Sequence, residues 1–183
     1  MFPLSILPLP GELVPLHIFE PRYRQLLLDA ETDDISFGIF FNHIINAEKI
    51  GSLMKLESVI KRYPTGESDI VVKCSDIFKM DMLYRTFKNK MYPGGDVAFW
   101  NIDETKTGGS ELSDLFQEFL IRKNTKRTPL QTNIFVIAQE LNLDIAERYQ
   151  FLMHTPSARD RFLILKIRYL IALLKKEEES RDV

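Results

Sequence analysis

Residues 7–27 read LPLPGELVPLHIFEPRYRQLL, with prolines at positions 8, 10, 15 and 21. Proline fixes φ at about −65° and has no backbone N–H, so this segment cannot form one helix before Pro21. Pro21 itself suits the first position of a helix. Tyr23, Leu26, Leu27 and Ala30 then follow at helical spacing. The segment therefore predicts an extended path followed by a short amphipathic helix with these four side chains on its inner face.

Residues 36–102 carry short apolar runs that turn signals separate. Pro64 and Gly66 suit a type I turn, which predicts a hairpin between a strand ending near Tyr63 and one beginning at Asp69. Side chains that would share a face by period-two alternation are Ile70, Val72 and Cys74, and then Phe78, Met80 and Met82. Many short antiparallel strands predict a small barrel, although periodicity alone leaves a sandwich open.

The polar stretch 105–109 predicts a linker, and the pattern after it is helical. Predicted helices cover the apolar stripe from Leu112 to Leu120, residues 134–141, a third helix from an Asp144/Glu147 capping box to about Met153, and a long last helix capped at Ser157. In that last helix, a seam is formed by Leu163, Ile167, Leu170 and Leu174. Residues 177–183 are expected to fray. The predicted domains are a β-barrel over 1–105 and a helical subdomain over 110–183, packed on or beside it.

Four segments together resemble one protein family. They are residues 7–27, Phe37-Gly38-Ile39-Phe40-Phe41, Ile50-Gly51-Ser52-Leu53 and Asp69-Ile70-Val71-Val72-Lys73-Cys74. A fifth segment, Tyr92-Pro93-Gly94-Gly95-Asp96-Val97, stands where members of that family usually have a less glycine-rich entry to a strand. The set is similar to the substrate-recognition domain that precedes the ATPase and peptidase parts of Lon proteases, with specific motifs over residues 5–85 and a matching helix pattern beyond. The resemblance implies an α+β fold, in which an N-terminal PUA-like antiparallel β-pseudobarrel precedes a C-terminal α-helical bundle.

Composition fits a compact protein of one domain or two small ones, with 183 residues, 45% hydrophobic content and a net charge of −2. Such a charge provides no global field that would attract nucleic acid or anionic lipid. Cys74 is the only cysteine, which excludes an internal disulfide framework and suits a reducing compartment. The most apolar run, 162–174, contains two basic residues and is shorter than the ~20 residues of a membrane span. With no signal-peptide pattern at the start, we expect a cytoplasmic protein.

Catalytic motifs of a complete Lon protease do not occur in the sequence. Lys106-Thr107-Gly108-Gly109 has the wrong order for a phosphate-binding loop. Pro156-Ser157-Ala158 is followed by Arg159, where the peptidase serine motif has a glycine. The prediction is a stand-alone Lon N-terminal-type module that is not an enzyme and has no catalytic residues.

Histidines offer no metal site either, because His17, His43 and His154 have no paired spacing. No metal or cofactor is therefore predicted. We expect His17 and Glu20 to fix the proline-rich segment and cap the helix at Pro21. Arg22 and Arg24 are expected to pair with nearby carboxylates such as Glu12 and Glu20.

The family resemblance implies a binding module for exposed apolar segments of unfolded or regulated polypeptides, and it raises a link to a separate Lon-type protease and to protein quality control. Such a surface would be apolar or methionine-rich. The candidate binding residues are Met80, Met82, Tyr84, Phe99 and Trp100. A barrel core is the competing and more common interpretation for the aromatic residues, including Phe40, Phe41 and Phe78.

A second hypothesis is RNA binding, because PUA-like barrels of other families bind RNA. Its candidate residues form a basic loop: Arg122, Lys123, Lys126 and Arg127. A near-neutral chain argues against strong phosphate binding, so nucleic acid is the less favoured partner. The apolar seam of the last helix could pack against other helices of the same chain or against a second copy in a homodimer.

Overall fold

The computed structural model describes residues 1–103, 105–124 and 132–181, without the side chain of Arg181. It contains two compact units, Met1–Ile102 and Asp103–Val183. The first unit contains β1 (Phe2–Leu4), β2 (Leu13–Ile18), α1 (Pro21–Thr32), β3 (Phe37–Phe41), β4 (Ile50–Arg62), β5 (Ser68–Tyr84) and β6 (Gly94–Phe99). The second contains α2 (Ser110–Arg122), α3 (Ile134–Glu140), α4 (Ile145–Met153) and α5 (Pro156–Arg181). The predicted α+β class, with a strand-rich part before a helical part, is confirmed.

All strands of the first unit belong to one sheet with the order β1-β3-β4-β5-β2, and β6 pairs with the far half of β5. The pairings are antiparallel except that of β1 with β3, which is parallel. The prediction that all strands pair in antiparallel fashion is therefore wrong for the β1–β3 pair. β2 and α1 lie in the chain between β1 and β3, and a parallel pair needs such a long connection.

The proline-rich segment is held against the sheet by backbone and side-chain hydrogen bonds. Gly11 N donates to the Cys74 carbonyl at 2.8 Å, and Cys74 N donates to the Glu12 carbonyl at 2.9 Å. The buried Ser52 hydroxyl donates to the Pro8 carbonyl at 2.7 Å. Pro8 has no backbone N–H, so its carbonyl is the one backbone group through which it can bond to the sheet.

Helix α1 begins at Pro21 as predicted, and Tyr23, Leu26, Leu27 and Ala30 are all buried. The predicted cap is wrong, because Glu20 is the N-cap residue but its side chain accepts no capping hydrogen bond. Its carboxylate instead pairs with Arg22, whose Nε lies 2.8 Å away. Proline at the first position lowers the need for a cap, since one of the unpaired N–H groups is absent.

The β4–β5 hairpin is confirmed, with a turn in which Gly66 N donates to the Tyr63 carbonyl at 2.9 Å. The buried face of Ile70, Val72 and Cys74 is also confirmed. Further along β5 the predicted alternation fails at Met82, which is 55% exposed. The cause is a register shift between Met80 and Met82, because an extra residue in one strand reverses the face of those that follow.

The helical unit confirms most of the predicted helices. A capping box at the start of α4 is formed by the Asp144 carboxylate, which accepts from Glu147 N at 2.8 Å, and by the reciprocal bond at 3.0 Å. The Ser157 cap is wrong, because α5 begins one residue earlier at Pro156. Helix α5 also continues through Arg181, so the expected fraying of 177–181 is not observed, while residues 182–183 lie outside the described part.

Helix α5 contacts α2, α3 and α4. Leu163 and Ile167 of the predicted seam are buried, whereas Leu170 and Leu174 are half-buried. Leu163 and Ile167 therefore pack within one chain. A homodimer through the last helix stays a prediction. No helix in the described ranges is long and apolar enough to cross a membrane.

Candidate functional site

An apolar cleft of ≈ 210 Å³ lies within the first unit. It is lined by residues of α1, β3, β4, β5 and β6, by the connection between β5 and β6, and by Met1. The principal lining residues are Met1, Phe37, Phe78, Phe87, Tyr92, Val97 and Phe99. Phe78 is buried, whereas Phe99 is 46% exposed. The cleft thus has an aromatic interior and an apolar side chain at the surface.

Strand pairing places alternate β6 residues at the cleft. Val97 is opposite Met80 and Phe99 is opposite Phe78 in the antiparallel β5–β6 pair. Residues directly opposite each other share a face of the sheet, and successive residues alternate between faces. Gly95, Val97 and Phe99 therefore face the cleft, and all three line it.

The five predicted binding residues do not form one surface. Phe99 lines the cleft, and Met80 lies on the same face of the sheet but is buried. Met82 pairs with Asp96 on the opposite face, and the Tyr84 hydroxyl donates to the Asp96 carboxylate at 2.6 Å. Trp100 follows β6, where its backbone N donates to the Ile77 carbonyl at 3.0 Å.

A short hairpin between β5 and β6, residues 87–90, supplies Phe87 to the cleft. Phe87 and Lys90 form an isolated antiparallel bridge, and Lys88 and Asn89 have φ of 46° and 61°. Two successive residues with positive φ are typical of a type I′ turn, which joins twisted antiparallel strands. Sequence reasoning missed this hairpin, since a lysine at the first turn position gives a weak signal.

Helix α1 fixes this hairpin through two polar side chains. The Asp29 carboxylate accepts from the Tyr92 hydroxyl at 2.6 Å and from Lys90 Nζ at 2.9 Å. Gln25 accepts from the backbone N of Met91 at 2.7 Å. The hydrogen bonds from Tyr92 and Lys90 lower the pKa of Asp29, and burial together with Asp29 raises the pKa of Tyr92. The ionised carboxylate therefore stabilises the position of the hairpin beside the cleft.

A second polar cluster joins β2 to β5 on the surface of the first unit. His17 Nδ1 lies 2.7 Å from one Asp69 oxygen, and the Tyr63 hydroxyl donates to the other at 2.7 Å. These hydrogen bonds, from Tyr63 first and His17 second, lower the pKa of Asp69. His17 thus fixes its segment to the sheet, as expected. Arg24 supports the same region by donating to the carbonyls of Phe19 and Thr65, both at 2.8 Å.

The residues considered for catalysis and for RNA binding belong to the second unit, and those that the structure describes do not line the cleft. Ser157 is exposed, and its hydroxyl lies 3.5 Å from that of Thr155. Arg122 pairs with Glu118 at 3.0 Å and Glu178 at 3.2 Å, while Lys126 and Arg127 lie outside the described residues. Over the described ranges, no group of three or more His, Cys, Asp or Glu side chains is arranged to hold a metal ion.

The sequence matches a family profile described as the ATP-dependent protease La (LON) substrate-binding domain, over residues 1–166. The chain belongs to this family. In Lon proteases this domain is a non-catalytic, substrate-binding module, and no catalytic domain matches within this chain. The recognised motifs of the sequence are therefore those of a substrate-binding domain.

Solved structures share the fold of this Lon-type domain. A Lon N-terminal domain protein from Xanthomonas campestris superposes with a TM-score of 0.68 at 21% identity, covering 90% of this chain and 94% of that one. The N-terminal domain of the Mycobacterium avium complex Lon protease gives a TM-score of 0.50 at 15% identity, covering 96% of each chain. At these identities the likeness shows the fold alone. No curated protein is significantly similar to this chain in sequence.

Proposed function

We propose that this Lon-type domain binds exposed apolar segments of unfolded or regulated polypeptides, and that the apolar cleft of the first unit is where they bind. The observation that carries the proposal is the cleft together with the exposed apolar side chains around the β5–β6 connection. On the cleft side these are Phe87 and Phe99, which line the cleft and are 38% and 46% exposed, and Leu83, which is opposite Gly95 in the strand pair. Exposed apolar side chains grouped around a cleft are characteristic of interaction sites.

The size of the cleft favours a polypeptide side chain over a cofactor. Small-molecule sites usually enclose about 300–1,000 Å³, and this cleft has ≈ 210 Å³. One or two apolar side chains of a bound segment would fill it, and the flanking Phe87 and Phe99 would cover the rest of the segment. The family's role implies that such binding presents polypeptides to a Lon-type protease during quality control in the cytoplasm.

RNA binding receives no comparable support from the described residues. Arg122 already pairs with two carboxylates, and Lys123 Nζ is 3.4 Å from the Glu140 carbonyl and 5.4 Å from the centre of the Phe119 ring. Binding a phosphate at Arg122 would require breaking its ion pairs. We therefore keep a single proposed function.

The test is fluorescence anisotropy with a labelled, permanently unfolded polypeptide and a double variant of the cleft, Phe87→Ser with Phe99→Ser. Burying an aromatic side chain contributes about 1.5–3 kcal/mol, so we expect affinity to fall at least about tenfold. Binding by the unmodified chain should persist at high salt, because apolar contacts are not screened.

The matched control is Ile60→Ser, since Ile60 is 65% exposed on β4 of the same unit and does not line the cleft. Its affinity should stay within about twofold of the unmodified chain. Equal losses in both variants, or none in the cleft variant, would contradict the proposed site. Circular dichroism of each variant establishes that the fold is retained.

A further inference from the structure

The outer edge of β6 borders the apolar cleft. In the described part of the chain, β6 pairs with β5 and with no other strand. An unpaired edge presents backbone N–H and C=O groups that can accept another strand. The residues of β6 are exposed or half-buried.

The direction of each backbone group follows from one hydrogen bond and the strand register. Trp100 N donates to the Ile77 carbonyl, so Trp100 and Ile77 of β5 form a hydrogen-bonded pair. Such pairs alternate along an antiparallel ladder. Asp96 and Ala98 therefore direct their backbone groups to β5, whereas Gly95, Val97 and Phe99 direct theirs outward. Consistent with this, the Phe99 carbonyl is 3.5 Å from the side-chain amide of Asn101.

The outward-directed residues also line the cleft. Gly95, Val97 and Phe99 thus direct a row of backbone groups outward next to an apolar cavity on one face of the sheet, and an added strand would displace the long hydrogen bond from the Asn101 side chain to the Phe99 carbonyl. A strand added at this edge would turn every second side chain toward the cleft side. Main-chain bonds would then provide sequence-tolerant affinity, and the cleft would select apolar residues at alternate positions.

We propose that the bound segment adds to β6 as an extended β-strand, with alternate apolar side chains directed into the cleft. This inference rests on the proposed function and specifies how the polypeptide is held. Such binding would let one site accept many sequences, because backbone hydrogen bonds do not depend on side-chain identity. The ligand is an extended polypeptide with apolar residues at every second position, rather than an amphipathic helix.

The first test uses a labelled peptide of about ten residues in which leucine and threonine alternate. Two further peptides are N-methylated, one at the leucines and one at the threonines. Backbone amides alternate in direction along a strand, so either the leucine amides or the threonine amides face β6, but not both. Methylation of the set that faces β6 should lower the affinity at least about tenfold, and methylation of the other set should change it less than about threefold. Equal affinities for all three peptides, or equal losses in both methylated peptides, would overturn strand addition and leave the proposed function standing. Absence of binding by the unmethylated peptide would overturn both.

The second test is amide hydrogen exchange by NMR, which uses neighbouring residues of β6 as controls. The amides of Val97 and Phe99 should exchange rapidly in the free chain and be slowed at least about tenfold by saturating unmethylated peptide. The amides of Asp96 and Ala98 should be protected in both states. Unchanged exchange at Val97 and Phe99 in the saturated complex would overturn strand addition.

Discussion

The ring of Phe78 explains two glycines at the residue scale. A Cβ on Gly38 would lie 2.9 Å from two carbons of this ring, and a Cβ on Gly51 would lie 2.4 Å from the ring and 2.5 Å from the Ile39 carbonyl. Both glycines belong to the family motifs, and the reason for each is the space that the aromatic ring occupies between β3, β4 and β5. The same ring lines the cleft, so these glycines also set its shape.

We predict that Gly38→Ala destabilises the first unit by about 1–3 kcal/mol, because the added methyl overlaps the end of the Phe78 ring. Urea unfolding followed by tryptophan fluorescence measures this, since Trp100 is the only tryptophan. The control is a double-mutant cycle with Phe78→Leu, which removes the ring atoms that the methyl would meet. Strict additivity of the two changes would contradict the assigned contact.

At the element scale, two features of the β5–β6 region determine the site. The register shift after Met80 places Met82 on the opposite face from Phe99, and the 87–90 hairpin brings Phe87 to the cleft. Neither feature follows from hydrophobic periodicity, because a bulge leaves no mark in a run such as Met80–Tyr84. The hairpin position depends on Asp29, which is distant in sequence.

We predict that Asp29→Asn destabilises the first unit by about 1.5–3 kcal/mol at neutral pH, the usual range for hydrogen bonds to a charged group. The pKa of Asp29 is lowered in the folded state, so its contribution is complete above the usual carboxyl pKa and is lost as the pH falls through the folded pKa. The stability difference between the two proteins should therefore be constant above about pH 5 and shrink progressively as the pH falls below that value.

Urea unfolding across this pH range measures the difference. The matched control is Asp34→Asn, since Asp34 pairs with Lys55 but its side chain is 80% exposed. Exposed ion pairs contribute about 0–1 kcal/mol, so its effect should be small at every pH. A difference for Asp29→Asn that stays constant down to about pH 3 would contradict the role of the ionised carboxylate.

At the scale of the whole molecule, local patterns predicted most elements but not the site. The helix at Pro21, the β4–β5 hairpin and the Asp144 capping box each depend on residues close in sequence, and each is confirmed. The Ser157 cap failed because Pro156 is itself a good first residue of a helix. The cleft could not be predicted, because it joins Met1, Phe37, Phe78 and Phe99 through strand register.

The central claim is that the cleft of the first unit binds apolar polypeptide segments, and methionine-methyl NMR tests it most directly. Met1 lines the cleft, whereas Met153 belongs to α4 of the second unit. Titration with an apolar unfolded polypeptide should shift the methyl resonance of Met1 and leave that of Met153 in place. Saturable binding with an unmoved Met1 resonance, or with the largest shift at Met153, would contradict the account.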